Sequence, residues 1–142
     1  MFNLVLVADR AQTVRNSLAR LRELAGLTQD VFREGRDNYA IAEHHLRRAL
    51  QALLDLGRHV VVKSGWGNPS NYREVFDLLE RGGVLPPDLA ERGRALAGYR
   101  NRLVHDYAAV GPNELWEVLR TRLDDIAELL RMILDNVTSL RG

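Results

Sequence analysis

The sequence predicts an all-α protein, an antiparallel bundle of about five helices in one domain spanning residues 1–142. Three observations carry that expectation. Apolar residues recur at intervals of three, four and seven along most of the chain, the spacing of one helix face. Glycine and proline cluster between those stretches, around Gly65 to Pro69, Gly82 to Pro87 and Gly111-Pro112, where helices stop and start. Strand-like character is confined to Leu4-Val5-Leu6-Val7, and no internal repeat is visible. The connections are mostly short, which makes neighbouring helices largely antiparallel.

The elements follow in order. Val14, Leu18, Leu21 and Ala25 mark a first helix from about Asp9, stopped by Gly26. Residues 1–8 precede it as an arm that either extends this helix or stays separate. Thr28 reads as the cap of a short turn through Phe32. Asp37 is expected to cap a long second helix to about Lys63, with Ile41, Ala42, Ala49, Ala52, Leu53, Leu56, Val60 and Val61 forming a broad apolar face. Ser64 to Ser70 is a loop, and Trp66 within it is expected to anchor the loop on the bundle. A third helix runs from about Asn71 to Arg81. Pro86-Pro87 opens a fourth, proline being permitted in the first turn, and it runs to about Tyr107. A single last helix is expected from about Asn113 to Ser139, striped by Leu115, Leu119, Leu123, Ile126, Leu130, Ile133 and Val137.

Composition narrows the function classes. Twenty Lys and Arg against nineteen Asp and Glu leave a net charge of only +1, so any nucleic-acid contact must come from a local patch. Lys63 is the only lysine; arginine suits phosphate recognition, and a GC-rich genome produces the same excess. The absence of cysteine excludes disulfides and thiolate-bound zinc. No apolar stretch is long enough to span a membrane, and Met1-Phe2-Asn3 does not begin a signal peptide, so a cytoplasmic protein is expected.

Chemistry concentrates in Arg100-Asn101-Arg102-Leu103-Val104-His105-Asp106-Tyr107, at the end of the fourth helix. Arginine presents a planar, permanently charged fork to phosphate. Histidine transfers protons near neutral pH. Leu96 and Leu103, with Tyr99 and Tyr107 near them, mark the core-facing side. Arg100 stands at the edge of that side, where a charge needs a partner or a ligand. Asn101 and His105 share another face, and Arg102 and Asp106 are spaced for an ion pair. Arg100 and His105 lie roughly 140° apart on an ideal helix, so helix-end distortion or a two-fold dimer is needed to bring such groups to one phosphate. His44, His45 and His59 do not converge on a metal, and Asp124, Asp125 and Glu128 read as a solvated, salt-bridged surface.

The cluster resembles the R-x4-6-H signature of HEPN-domain ribonucleases and, with Tyr107, the R-x4-H-x-Y form of HepT-like toxins. The likeness extends through Leu53-Leu54-Asp55-Leu56, the Gly65/Gly67-Pro69-x2-Tyr72 loop, Phe76-Asp77-Leu78-Leu79, Gly83-Val84-Leu85-Pro86 and the amphipathic C-terminal helix. The first eight residues depart from the usual acidic helix start. The resemblance implies a homodimeric, metal-independent endoribonuclease, the toxin of a type II/VII-like toxin–antitoxin pair, with RNA as substrate and no cofactor. It implies Arg100 and His105 as catalytic residues, Asn101 and Arg102 as assisting phosphate-binding residues, and a dimer cleft lined by the motif. It further implies an MNT-type nucleotidyltransferase antitoxin as partner, which silences the toxin by adding AMP to Tyr107. The alternative is a non-catalytic helical module that binds a nucleotide or the partner protein.

Overall fold

A computed structural model describes residues 1–105 and 110–141, with Leu140 and Arg141 described for the backbone alone. Among the described residues all regular structure is helical: α1 (Leu4–Ala25), α2 (Gln29–Glu34), α3 (Asn38–Lys63), α4 (Tyr72–Arg81), α5 (Pro87–His105), α6 (Pro112–Thr121) and α7 (Leu123–Arg141). The helical class is as predicted, but the described helices number seven rather than about five, and three local readings change.

The arm is helix from Leu4 onward. Asn3 caps it, its Oδ1 accepting from the Leu6 N–H at 3.1 Å and satisfying one of the donors a helix start leaves over. His59 of α3 accepts the Asn3 N–H on Nε2 at 3.0 Å, and the Phe2 ring lies 6.0 Å from the same imidazole. Val7 begins the buried stripe that Ala11, Val14, Leu18, Leu21 and Leu24 continue, while Leu4 and Val5 face outward. The turn after Thr28 is a short helix. Thr28 Oγ1 accepts from the Val31 N–H at 3.2 Å, as its spacing predicts, and Phe32 plugs the core.

The expected single last helix is two. Arg122 leaves the helical path between them, although the buried stripe runs through it from Leu115 and Leu119 to Leu123 and Ile126. Thr121 Oγ1 bonds back to the Glu117 carbonyl at 2.8 Å, a competing local bond that bends helices. Neither glycine nor proline marks the break, so apolar periodicity alone passes over it.

α3 lies at the centre, touching α1, α4, α5 and α7. Burial of Leu46, Leu50, Leu53, Leu54, Leu56, Val60 and Val61 gives it contact on several sides. α5 approaches α4 closely because Gly93 has no side chain: a Cβ there would fall 2.4 Å from the buried Phe76 ring. Trp66 anchors its loop as expected, its ring lying against Gly82, where a Cβ would meet it at 2.5 Å. At the far end of α5, Leu103 is buried, and so is Val110, the next described residue after His105. Tyr39 of α3 donates its hydroxyl proton to the Val110 carbonyl. Asp106 and Tyr107 lie outside the described residues, and with them the expected Arg102–Asp106 pair.

Candidate active site

Arg100 sits four residues before Val104 on the last turns of α5, half-buried against α3 and the start of α4. Its Nε and Nη2 both donate to Gln51 Oε1, at 3.0 and 2.7 Å. Nη1 donates to Asn101 Oδ1 at 3.2 Å. The guanidinium lies over the Tyr72 ring, 4.8 Å from its centroid, a stacking arrangement that suits a delocalised cation. The partner its position demands is therefore an amide and an aromatic face, supplied by two other helices.

Gln51 is in turn held from its other end. Its Nε2 donates to Asp55 Oδ1 and to the Tyr72 hydroxyl, both at 2.9 Å. Asp55 accepts from Arg10 Nε of α1 at 3.4 Å. A cleft of about 230 Å³, lined among others by Arg10, Arg48, Gln51 and Asp55, lies between α1 and α3 beside this chain of contacts.

Arg102 points elsewhere. It pairs with Glu114 of α6 at 2.7 Å and lies 5.4 Å from the Tyr99 ring. Those bonds hold the Glu114 carboxyl below the usual carboxylate range. Burial, and then the nearby Glu114, pushes the Tyr99 hydroxyl above the usual phenol range. His105 is exposed at the last residue of α5. Arg100 and Asn101 are thus brought together, whereas Arg100 packs towards α3 and His105 stands on the outer surface.

Gln51, Tyr72 and Glu114 complete this neighbourhood, and only Tyr72 figured in the sequence reading, as part of a loop pattern. A signal for the first was present: Gln51 and Asp55 are four apart, a polar pair on one face of an otherwise apolar run from Ala49 to Leu56. The last-helix acids are not the uniform solvated surface expected. Asp125 is buried between Arg92 at 3.2 Å and Arg122 at 3.6 Å, while the exposed Asp124 pairs with Arg22. Among the described residues, no three His, Cys, Asp or Glu side chains are grouped to hold a metal ion, and no helix is long and apolar enough to cross a membrane.

Residues 14–133 match the family described as Ribonuclease HepT-like. The chain is 26% identical over 129 residues to a tRNA nuclease HepT of Aphanizomenon flos-aquae, covering 91% of this chain and 88% of that protein. It is 23% identical over 124 residues to an mRNA nuclease HepT of Shewanella oneidensis, covering 83% and 93%. Its fold is similar to that of a tri-AMPylated Shewanella oneidensis HEPN toxin solved in complex with an MNT antitoxin, with TM-score 0.83, 21% identity, and 95% and 99% of the two chains covered. It is equally similar to YutE, a cytosolic protein of unknown function from Bacillus subtilis, with TM-score 0.83, 15% identity, and 98% and 94% covered.

Proposed function

The chain belongs to the HepT-like ribonuclease family, and we propose that it is the RNA-cleaving toxin of a toxin–antitoxin pair. The observation that carries this reading is the state of Arg100. Its guanidinium is half-buried yet bonded to neutral amide oxygens, so its charge remains available for a phosphate.

The reaction follows from the residue types. The ribose 2′ oxygen attacks the adjacent phosphorus, and the bond to the 5′ oxygen of the next nucleotide breaks. A base takes the 2′ proton and an acid returns one to the leaving oxygen. Histidine performs either transfer, each contributing roughly 10²–10⁴-fold. Arg100 stabilises the charge that builds on the phosphoryl oxygens. Asn101 holds one edge of that guanidinium, and Arg102, paired with Glu114 in the protein alone, is assigned an assisting phosphate contact. No metal is needed, because proton transfer and charge stabilisation are both supplied by side chains. The motif supplies one histidine per chain, which fills one proton role, so a homodimer with two copies of the motif facing one cleft completes the set. The outward position of His105 suits that arrangement.

The partner is an MNT-type nucleotidyltransferase, and its action is AMP transfer to Tyr107. Two findings support this: the fold-level likeness to an AMPylated toxin in complex with such an antitoxin, and a tyrosine two residues after His105. A phosphate group added within the motif would bring negative charge to the helix end that is assigned to RNA.

The test is cleavage of RNA in EDTA by the purified protein beside His105→Ala. Cleavage by the wild type alone is expected. Equal cleavage by a folded His105→Ala protein removes the proposed role. Coexpression with an MNT-type nucleotidyltransferase should add AMP by intact mass, and Tyr107→Phe should not gain it.

A further inference from the structure

Gln51 is the one polar side chain between Ala49 and Leu54 of α3. Its amide has a single sensible orientation. The oxygen accepts twice from Arg100, and the nitrogen donates to Asp55 and to the Tyr72 hydroxyl. Turning the amide over would set an NH₂ group against a guanidinium and an oxygen against a carboxylate.

This grip differs from the fold's other half-buried arginine on the same helix. Arg94, six residues earlier, bonds to Asp77, Glu80 and Glu91, which spend its charge. Arg100 is aimed without being neutralised. A guanidinium has five N–H donors. Among the described residues, Nε, Nη2 and Nη1 of Arg100 each make contacts to Gln51 or Asn101. Among the described residues no partner takes the second N–H of either Nη, which leaves those two for a ligand, and the Tyr72 ring fixes the plane of the fork.

We propose that Gln51 is a positioning residue for Arg100: it sets the plane and direction of the guanidinium while leaving its full charge for the scissile phosphodiester. This rests on the reading of the chain as a ribonuclease acting through Arg100. A neutral acceptor is the chemistry required here. A carboxylate at the same place would form a bidentate salt bridge and compete with the phosphate.

The experiment uses a 5′-fluorescein RNA oligonucleotide for cleavage and its 2′-O-methyl counterpart, which lacks the attacking hydroxyl, for binding across a range of KCl. Wild type, Gln51→Glu, Gln51→Met and Arg100→Ala are compared, with thermal unfolding as the check on folding. In Gln51→Glu the carboxylate captures Arg100. We expect kcat/KM to fall roughly tenfold or more, the scale of a lost hydrogen bond to a charged group. The slope of log K against log salt should shrink by about 0.7, one phosphate contact on a single strand. Gln51→Met loses the aim but not the charge, so kcat/KM falls while the salt slope is retained. A merely structural role would lower both variants alike with one common slope.

A folded Gln51→Glu protein with wild-type kcat/KM and slope overturns the proposal. If that variant does not fold, Gln51→Met decides: wild-type kcat/KM overturns it, and a tenfold loss with the slope kept supports it. If wild type cleaves, Arg100→Ala does not, and both Gln51 variants behave as wild type, the positioning role alone fails. If wild type and Arg100→Ala are indistinguishable on RNA, the ribonuclease reading at Arg100 fails and the positioning role goes with it.

Discussion

Arg102, near the end of α5, grips Glu114 in the first turn of α6 through two hydrogen bonds, Nη1 at 2.7 Å and Nη2 at 2.9 Å. The pair joins α5 to α6, with the buried Leu103 and Val110 lying between the two partners along the chain. Both partners are more than a third exposed, so the ion pair contributes at most about 1 kcal/mol to stability. Its larger effect is on charge, because it ties up a cation assigned to phosphate binding. Glu114→Gln should therefore leave the fold nearly as stable and remove one carboxylate partner of Arg102. The salt slope of RNA binding should steepen, by up to about 0.7. An unchanged slope would show that Glu114 does not restrain a cation used for phosphate.

Arg100 and His105 are assigned different tasks, and their variants should differ in kind. His105→Ala removes proton transfer, so kcat should drop by about 10²-fold or more while binding of uncleavable RNA is preserved. Arg100→Lys keeps a charge but cannot engage Gln51 and phosphate with one planar fork. Both binding and kcat should weaken there, by roughly tenfold in kcat/KM or more. Matching losses in binding for the two variants would contradict the division of labour. Single-turnover cleavage together with equilibrium binding separates the two cases.

Gly93 sets how close α5 lies to α4. Alanine favours helix over glycine by about 1 kcal/mol, but here its Cβ would meet the fully buried Phe76 ring at 2.4 Å. Overpacking of that kind costs typically about 1–3 kcal/mol. Gly93→Ala should thus lower Tm by several degrees rather than raise it. A rise in Tm on heating would show that the α4–α5 contact relaxes without strain.

Two histidines make stability depend on pH. Burial holds both His45 and His59 below the ordinary imidazole value of 6.5; the charges of His44, Arg20 and Arg48 add to this at His45, and Lys63 at His59. The unfolded chain binds protons at about pH 6 that the folded protein refuses, so stability falls as pH drops through about 6.5 and is fully present above it. Glu114 acts further down, its lowered carboxyl giving stability that persists above the ordinary carboxylate range and is lost as pH falls below it. Tm should accordingly decrease between about pH 7.5 and pH 5.5. His59→Gln, which keeps an acceptor for the Asn3 N–H but does not titrate, should flatten part of that decrease. A pH-independent Tm over this range would be inconsistent with half-buried imidazoles held neutral.

Much of the architecture is written in local pattern. The apolar stripes of α1, α3, α4 and α5, the cap at Thr28 and the glycine–proline punctuation each act within one or two turns of chain, so a linear reading recovers them. The cap expected at Asp37 does not form: its side chain makes no hydrogen bond to the start of α3, whereas Asn71, not among the expected caps, caps α4. The same holds for the motif from Arg100 to His105, whose residue types and spacing are visible without coordinates. The arm and the break at Arg122 were not recoverable this way. Four apolar residues in a row suit strand or helix equally, and the α6–α7 break falls at Arg122 with the apolar stripe uninterrupted and neither glycine nor proline to mark it.

The amino-acid sequence by itself determined a helical bundle, the absence of thiol chemistry, and the helix end that carries an arginine, an asparagine and a histidine. Only the tertiary structure decided what Arg100 touches. Gln51 and Tyr72 stand 49 and 28 residues away along the chain, and nothing in their local pattern couples them to α5. Packing of α3 and α4 around Gly93 and Phe76 brings an amide oxygen and an aromatic face to the guanidinium. Contacts at that separation depend on how whole helices pack, and packing is set by the joint burial of residues from every element at once.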